Sequence, residues 1–182
     1  MRKYSLLGIV LLLVFLAALL LISSKQKTQV ASSALTYEKI YVFFSPEDHC
    51  AEKVIYWIDR ANSSIYIAMY SFTSDEIGAA VIRAFNRGVE VRVILEKNEV
   101  NQWSEYSKFK RAGVSVKLDG NNALMHNKFC IIDGKIVITG SYNFTKSAEE
   151  KNDENLLIIF SEEVAKKYAE EFNEMWSGQY GG

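Results

Sequence analysis

His126, Lys128, Ser141 and Asn143 fall within one stretch, His-Asn-Lys-Phe-Cys-Ile-Ile-Asp-Gly-Lys-Ile-Val-Ile-Thr-Gly-Ser-Tyr-Asn, that runs from His126 to Asn143. His126 and Lys128 are two apart. On an extended strand, side chains at i and i+2 leave the same face, so an imidazole and an ammonium point into one space. Phe129, Cys130, Ile131 and Ile132 form an apolar run, closed by Asp133-Gly134, a dipeptide that favours a hairpin turn. A return strand over 135–139 then carries Gly140, Ser141 and Asn143 back beside the histidine. The hairpin gathers an imidazole able to act as nucleophile, a fixed cation and two neutral hydrogen-bonding side chains. That set suits an anionic oxygen centre, phosphate first of all.

The elements that must position these groups follow from periodicity. Strands are expected over 40–44, where Ser45-Pro46 ends the run, over 64–71, where Ile65, Ile67 and Met69 alternate, and over 89–95, 114–118 and 155–160. Helices are expected over 48–61, with Val54, Ile55, Trp57 and Ile58 inward, from a cap at Asp75 to Arg87-Gly88, and over 102–112 and 162–176. Strands alternating with helices, followed by a hairpin, give an α/β fold: a mixed sheet with helices on both faces. At 182 residues, 49% hydrophobic, the chain can bury one good core. Two cysteines make no disulfide scaffold, and their spacing fits no zinc motif. Cys130 lies in the apolar strand and reads as packing; Cys50 stands beside His49.

Charge divides the chain. Every acidic residue lies at Glu38 or later, whereas Arg2, Lys3, Lys25 and Lys27 precede it, so the net charge of −1 becomes −5 beyond that point. Such a domain has no global field for gathering polyanions, and any attraction must be local. Residues 6–22 carry no charge and would span about 25 Å as a helix, near the lower limit for crossing a bilayer. Two readings stand for segment 1–24: a cleaved signal peptide, giving a secreted product, or a retained membrane anchor. The length of the run, and the distance to the small residues around Ala31 to Ala34, favour the anchor. Arg2, Lys3 and the amino terminus outweigh Lys25 and Lys27, which predicts a cytoplasmic N-terminus and an extracytoplasmic domain. Residues 25–37 read as a flexible tether, and 38–178 as the globular domain.

The pattern His-x-Lys-x4-Asp-x6-Gly-Ser-x-Asn resembles the signature of the phospholipase D superfamily, and His126, Lys128, Asp133, Gly140, Ser141 and Asn143 meet every fixed position. Ser45-Pro46-Glu47, Ala68-Met69-Tyr70-Ser71-Phe72-Thr73 and residues 152–156 are similar to the small single-motif bacterial endonucleases of that superfamily. The mitochondrial cardiolipin hydrolase and piRNA-pathway nuclease branch is also similar in size and has an N-terminal anchor. Its Cys/His zinc insertion after the first strand is absent here; only His49 and Cys50 fall near that place. The resemblance implies an α/β/α sandwich over about residues 38–178. It implies a metal-independent phosphodiesterase without cofactor, in which His126 forms a covalent phosphohistidine. Lys128, Ser141 and Asn143 would then hold the non-bridging phosphate oxygens. Glu154 matches the carboxylate that hydrogen-bonds the histidine, and otherwise reads as an ordinary strand-edge acid. Asp133 and Gly140 are expected to be structural, Asp133 because its Asp-Gly context is a turn. One motif per chain supplies one histidine, and His49 lies outside any matching motif. Two-motif members use one histidine from each, so a homodimer with a shared active site is expected.

Substrate class is less sharply written. Residues 83–117 hold eight basic side chains against four acidic ones, with Trp103 and Tyr106 among them and Lys108 close by. Basic groups with aromatics suit single-stranded nucleic acid; the same pattern fits an amphipathic surface helix with a core-facing Trp. A nuclease acting on DNA or RNA is the first expectation and a phospholipase D or cardiolipin hydrolase the alternative. The third, an inactive nucleic-acid-binding module, is disfavoured because no catalytic position is substituted.

Overall fold

Period-two alternation sets the layers. In strand β5 (Lys128–Ile132), Phe129 and Ile131 enter one hydrophobic core while Cys130 and Ile132 enter another on the opposite face of the sheet. The computed structural model describes residues 39–179 together with Phe15. The expected anchor at 1–24, apart from Phe15, and the tether at 25–37 lie outside the described residues. No helix among the described residues is long and apolar enough to cross a membrane.

The chain runs β1 (Lys39–Ser45), α1 (Cys50–Ile58), β2 (Ser64–Met69), α2 (Asp75–Asn86), β3 (Glu90–Leu95), α3 (Tyr106–Ala112), β4 (Ser115–Leu118), then β5. It continues through β6 (Ile136–Gly140), α4 (Lys146–Glu150), β7 (Glu154–Phe160) and α5 (Glu162–Ser177). The seven strands form one mixed sheet in the order β1-β7-β6-β5-β2-β3-β4. β2, β3 and β4 are parallel, joined by helical crossovers, and β2-β5, β5-β6, β6-β7 and β7-β1 are antiparallel. Val54 and Ile58 of α1, Ile77, Val81 and Ala84 of α2 and Phe109 of α3 cover one face. Ala165, Phe172 and Met175 of α5 cover the other, at the spacing of a single helical stripe. The expected mixed sheet between helices is therefore present.

Local chemistry moved several element ends. α1 starts at Cys50 rather than 48, because the Asp48 carboxylate accepts the Phe44 N–H at 2.8 Å in the preceding turn and His49 is left-handed at φ 52°. Ser74, not Asp75, caps α2: its hydroxyl oxygen accepts the Ile77 N–H at 3.4 Å, while Asp75 and Glu76 sit in the first turn, where carboxylates favour the helix dipole. α3 is shorter than the expected 102–112, since the Asn101 side chain accepts the Trp103 N–H at 2.8 Å and turns the chain ahead of Tyr106.

Candidate active site

The hairpin that brings the motif together is pinned at the end away from the histidine. Asp133 (φ 54°) and Gly134 (φ 63°) are both left-handed, and Lys135 N–H donates to the Ile132 carbonyl at 3.0 Å. The Asp133 carboxylate accepts the N–H groups of Asn62, Ser63 and Ser64 and the Ser63 hydroxyl, at 2.8–3.1 Å. Burial alone would raise its carboxyl, but these donors hold it below the usual carboxylate range. Asp133 thereby ties the β5–β6 turn to the start of β2.

At the other end, β6 finishes on Gly140 at φ +144°. A Cβ there would lie 2.2 Å from the Asn155 carbonyl oxygen, so only glycine allows the two backbones to meet so closely. That approach lets the N–H groups of Ser141 and Tyr142 both donate to the Asn155 carbonyl, at 3.1 and 3.3 Å. His126, Lys128, Gly140, Ser141, Asn143, Glu154 and Asn155 then line one open hollow of about 560 Å³. The four side chains expected to act on phosphate, and Glu154, all line this hollow.

The hydrogen bonds assign each side chain a direction. The Asn143 carbonyl oxygen accepts the Ser71 N–H at 3.2 Å, which leaves its amide NH2 as the free donor. The Ser141 hydroxyl donates to Glu154 Oε2 at 2.5 Å and accepts from the backbone N–H and side-chain amide of Asn155, at 3.0 and 3.2 Å. Its single proton is thus spent on Glu154. The other Glu154 oxygen accepts the Asn152 amide at 3.0 Å. The resemblance placed this carboxylate on the histidine. Within one chain it is engaged by Ser141 and Asn152 instead, and the exposed His126 imidazole makes no hydrogen bond among the described residues. The imidazole rests edge-on against the Tyr70 ring, with centroids 4.6 Å apart.

Lys128 is half-buried between that same Tyr70 ring, 4.7 Å from Nζ, and the His126 carbonyl, to which it donates at 2.8 Å. Burial pulls its ammonium below the ordinary lysine range, and the carboxylates of Glu154 and Glu99 only partly oppose this. An ammonium and an amide NH2 beside an accessible imidazole can neutralise and hold a phosphodiester while the imidazole approaches phosphorus. Neither thiol competes as nucleophile. Cys50 and Cys130 are buried, and burial pushes both thiols up, Cys50 to about 11. Among the described residues no three His, Cys, Asp or Glu side chains converge to hold a metal ion.

The residues expected to bind substrate are placed less favourably. The Lys108 ammonium sits between the carboxylates of Asp75 and Glu105, at 2.5 and 2.6 Å, so its charge is already matched. Tyr106 packs half-buried against the core. Trp103 alone is open, at 71% exposure, on a loop rather than on a core-facing helix. It lines a hollow with Asp75, Glu76, Glu149 and Glu150, different from the one that His126 lines. Half of the eight basic residues are ion-paired, Arg83 and Arg87 with Asp59 and Arg92 with Glu90 besides Lys108, and the Lys117 ammonium lies over the Trp176 ring. Tyr70, Asn152 and Asn155 were not expected from sequence. Tyr70 lies within Ala-Met-Tyr-Ser-Phe-Thr, and Asn152 and Asn155 within residues 152–156; both segments resemble the bacterial enzymes, and that was the available signal.

Known proteins give the same picture at the level of family. Residues 54–176 match the family model described as cardiolipin synthase, PLD-like domain. The chain is similar to a phospholipase D of Rickettsia conorii, 37% identical over 150 residues that cover 82% of this chain and 75% of the relative. It is also similar to the mitochondrial cardiolipin hydrolase of Chlamydomonas reinhardtii, 32% identical over 66% of this chain and 54% of that protein. Among solved structures, Nuc from Salmonella typhimurium, described as a phospholipase D family member, superposes with a TM-score of 0.73 at 31% identity. That superposition covers 79% of this chain and 97% of Nuc.

Proposed function

We propose, for a chain that belongs to the phospholipase D superfamily, that it hydrolyses phosphodiesters through a phosphohistidine, with nucleic acid as the first substrate class. The observation that carries this reading is the convergence of His126, Lys128, Ser141, Asn143 and Glu154 on one open hollow. A neutral His126 imidazole attacks phosphorus, and a P–N bond forms as the P–O bond to the leaving group breaks. Lys128 and the Asn143 amide hold the non-bridging oxygens and offset the charge that grows there. Ser141, whose proton goes to Glu154, aims that carboxylate, and Glu154 is assigned the role of orienting the imidazole. The leaving oxygen takes a proton from His126 of a second copy. That imidazole then removes a proton from water, and the hydroxide displaces His126 from phosphorus. No metal is assigned a step.

The nuclease reading draws support from the likeness in sequence to small single-motif bacterial endonucleases at Ser45-Pro46-Glu47, residues 68–73 and residues 152–156. A second reading, hydrolysis of a membrane phospholipid, is favoured by a different observation. Ile40, Val42 and Phe44 are 50–54% exposed along the edge strand β1, and Phe44 lines a hollow that shares Glu154 and Asn155 with the site. An apolar stripe suits acyl chains better than nucleotides. The relatives named phospholipase D and cardiolipin hydrolase lend it further weight.

The deciding assay sets the chain lacking residues 1–35 against single-stranded DNA, duplex DNA, RNA and cardiolipin vesicles, all in excess EDTA. Cleavage of oligonucleotides with a trapped, acid-labile phosphate on His126 is the expected result. Activity confined to vesicles would transfer the proposal to phospholipid. Activity that vanishes on chelation and returns with magnesium would overturn the mechanism.

A further inference from the structure

His126 stands in the irregular connection between β4 and β5, so no ladder or helix of its own fixes the backbone from which the imidazole projects. Its neighbours are fixed instead. On the far side, the Asn127 carbonyl accepts the Tyr70 N–H at 2.9 Å. On the near side, the Met125 N–H donates to Glu96 Oε2 at 2.9 Å, a buried bond. Tyr70 and Glu96 directly follow the paired ends Met69 and Leu95 of the parallel strands β2 and β3. The carboxyl ends of two adjacent strands therefore grip the peptide on either side of the histidine.

Glu96 is a strange residue to find there unless it acts. It is 0% exposed, and an unpaired buried carboxylate would be costly. It is kept by donors: besides Met125, its Oε1 accepts the backbone N–H and side-chain amide of Asn98, at 3.0 and 2.7 Å. Asp119, at the end of β4, contacts it and accepts the Lys97 and Asn121 N–H groups at 3.0 and 2.9 Å, which locks the start of the same connection. Burial would raise the Glu96 carboxyl, yet these donors hold it below its usual range. Anchoring of the Met125 side chain needs no acid, because that side chain is buried in the α5-side core.

We propose that Glu96 is a positioning residue for His126, its carboxylate setting the backbone of the nucleophile by accepting the Met125 N–H. This rests on the reading of His126 as nucleophile. Glu96→Gln keeps the shape but brings an NH2 donor against donors, either at Met125 or at Asn98. A displacement of the nucleophile by about 1 Å is worth roughly a hundredfold in rate.

The full chain is assayed with bis(4-nitrophenyl) phosphate. For Glu96→Gln the expected outcome is a kcat lower by about tenfold to a hundredfold, with KM within about twofold. The single-turnover rate of phosphohistidine formation should fall by the same factor. In the 1H–15N spectrum the Met125 amide should shift and lose protection while amides of β2 and β3 stay in place. Asn98→Asp, an exposed change that leaves Glu96 intact but replaces a donor with a repelling carboxylate, should reproduce the kcat loss and serves where Glu96→Gln does not fold. Wild-type kcat in either folded variant overturns the proposal. So does a loss carried entirely by a smaller burst amplitude with an unchanged rate constant, since that is partial unfolding. His126→Ala is run alongside. If it retains activity, the nucleophile assignment fails and not the Glu96 argument alone.

Discussion

Asn143 and Lys128 show how much a single side chain's direction decides. The Ser71 N–H claims the Asn143 carbonyl oxygen, so the NH2 must face the hollow. Asn143→Asp would keep the bond to Ser71 and place a carboxylate where phosphate oxygens are held. Loss of one such donor costs about 10²–10³ in rate, and the new charge adds repulsion. We expect kcat/KM on a phosphodiester to fall at least that far with melting temperature little changed; a tenfold loss or less would show that Asn143 does not touch the transition state. Lys128 makes a pH prediction whose sign follows from its surroundings. Burial, opposed by Glu154 and Glu99, lowers its pKa, so the ammonium is lost earlier on the alkaline side than an ordinary lysine of about 10.4. Activity that needs the charged form is lost as pH rises, and the loss begins at a lower pH than an ordinary lysine would give. Lys128→Arg, which stays charged, should move that decline upward even if its absolute rate is lower. An alkaline limb unaffected by Lys128→Arg would assign it to another group.

At the scale of elements, the β5–β6 hairpin is a lever held at both ends, by Asp133 at the turn and by Gly140 against Asn155. Asp133→Ala removes an acceptor of three N–H groups and a hydroxyl. Water can reach the exposed Asn62 and Ser63 donors, so the loss should cost about 0.5–1.5 kcal/mol, read by denaturant unfolding at neutral pH. The folded-state pKa of Asp133 is depressed, so its contribution is present above the unfolded value of about 3.9 and fades as pH falls through the lower folded one. Wild type and mutant should therefore converge in stability only in that acid range; a constant gap down to pH 2 would mean the aspartate acts through packing. This hairpin was legible because its evidence is local: an apolar run, an Asp-Gly turn and fixed spacing across a few residues. The same holds for the α5 stripe, which a 3.6-residue period announces. What stayed hidden depends on pairing far along the chain. Sheet order puts β5 beside β2, and only that brings Tyr70 against His126 and Lys128. Of the two partners of Lys108, Glu105 is only three positions away, but Asp75 lies 33 positions earlier and is brought there by the fold. Ser141 matched a phosphate ligand in the motif, yet its one proton goes to Glu154, a choice fixed by strand β7 and not by the motif.

For the whole molecule, the decisive point is that the hollow is lined by one imidazole, whereas the proposed two-step reaction uses two. His49 is not among the residues that line the hollow, and the His126 ring is exposed rather than enclosed. On the proposed mechanism, a second copy that brought its own His126 to the same phosphate would supply the missing acid. That reading requires one imidazole to attack while the other donates, and it predicts that a single chain is inactive. Wild-type and His126→Ala chains refolded together in equal amounts pair at random, so wild-type homodimers form roughly a quarter of the total. Activity should fall to about that fraction, because a mixed dimer lacks either nucleophile or acid. A monomer, or a dimer with independent sites, keeps about half by the same two-fold arithmetic. Refolding is needed because slow exchange between preformed dimers would mimic independence. The sensitive form of the test is a titration: a shared site gives activity that follows the square of the wild-type fraction, and independent sites give a straight line. A straight line with exchange shown to be complete would assign the second proton transfer to a group within the same chain.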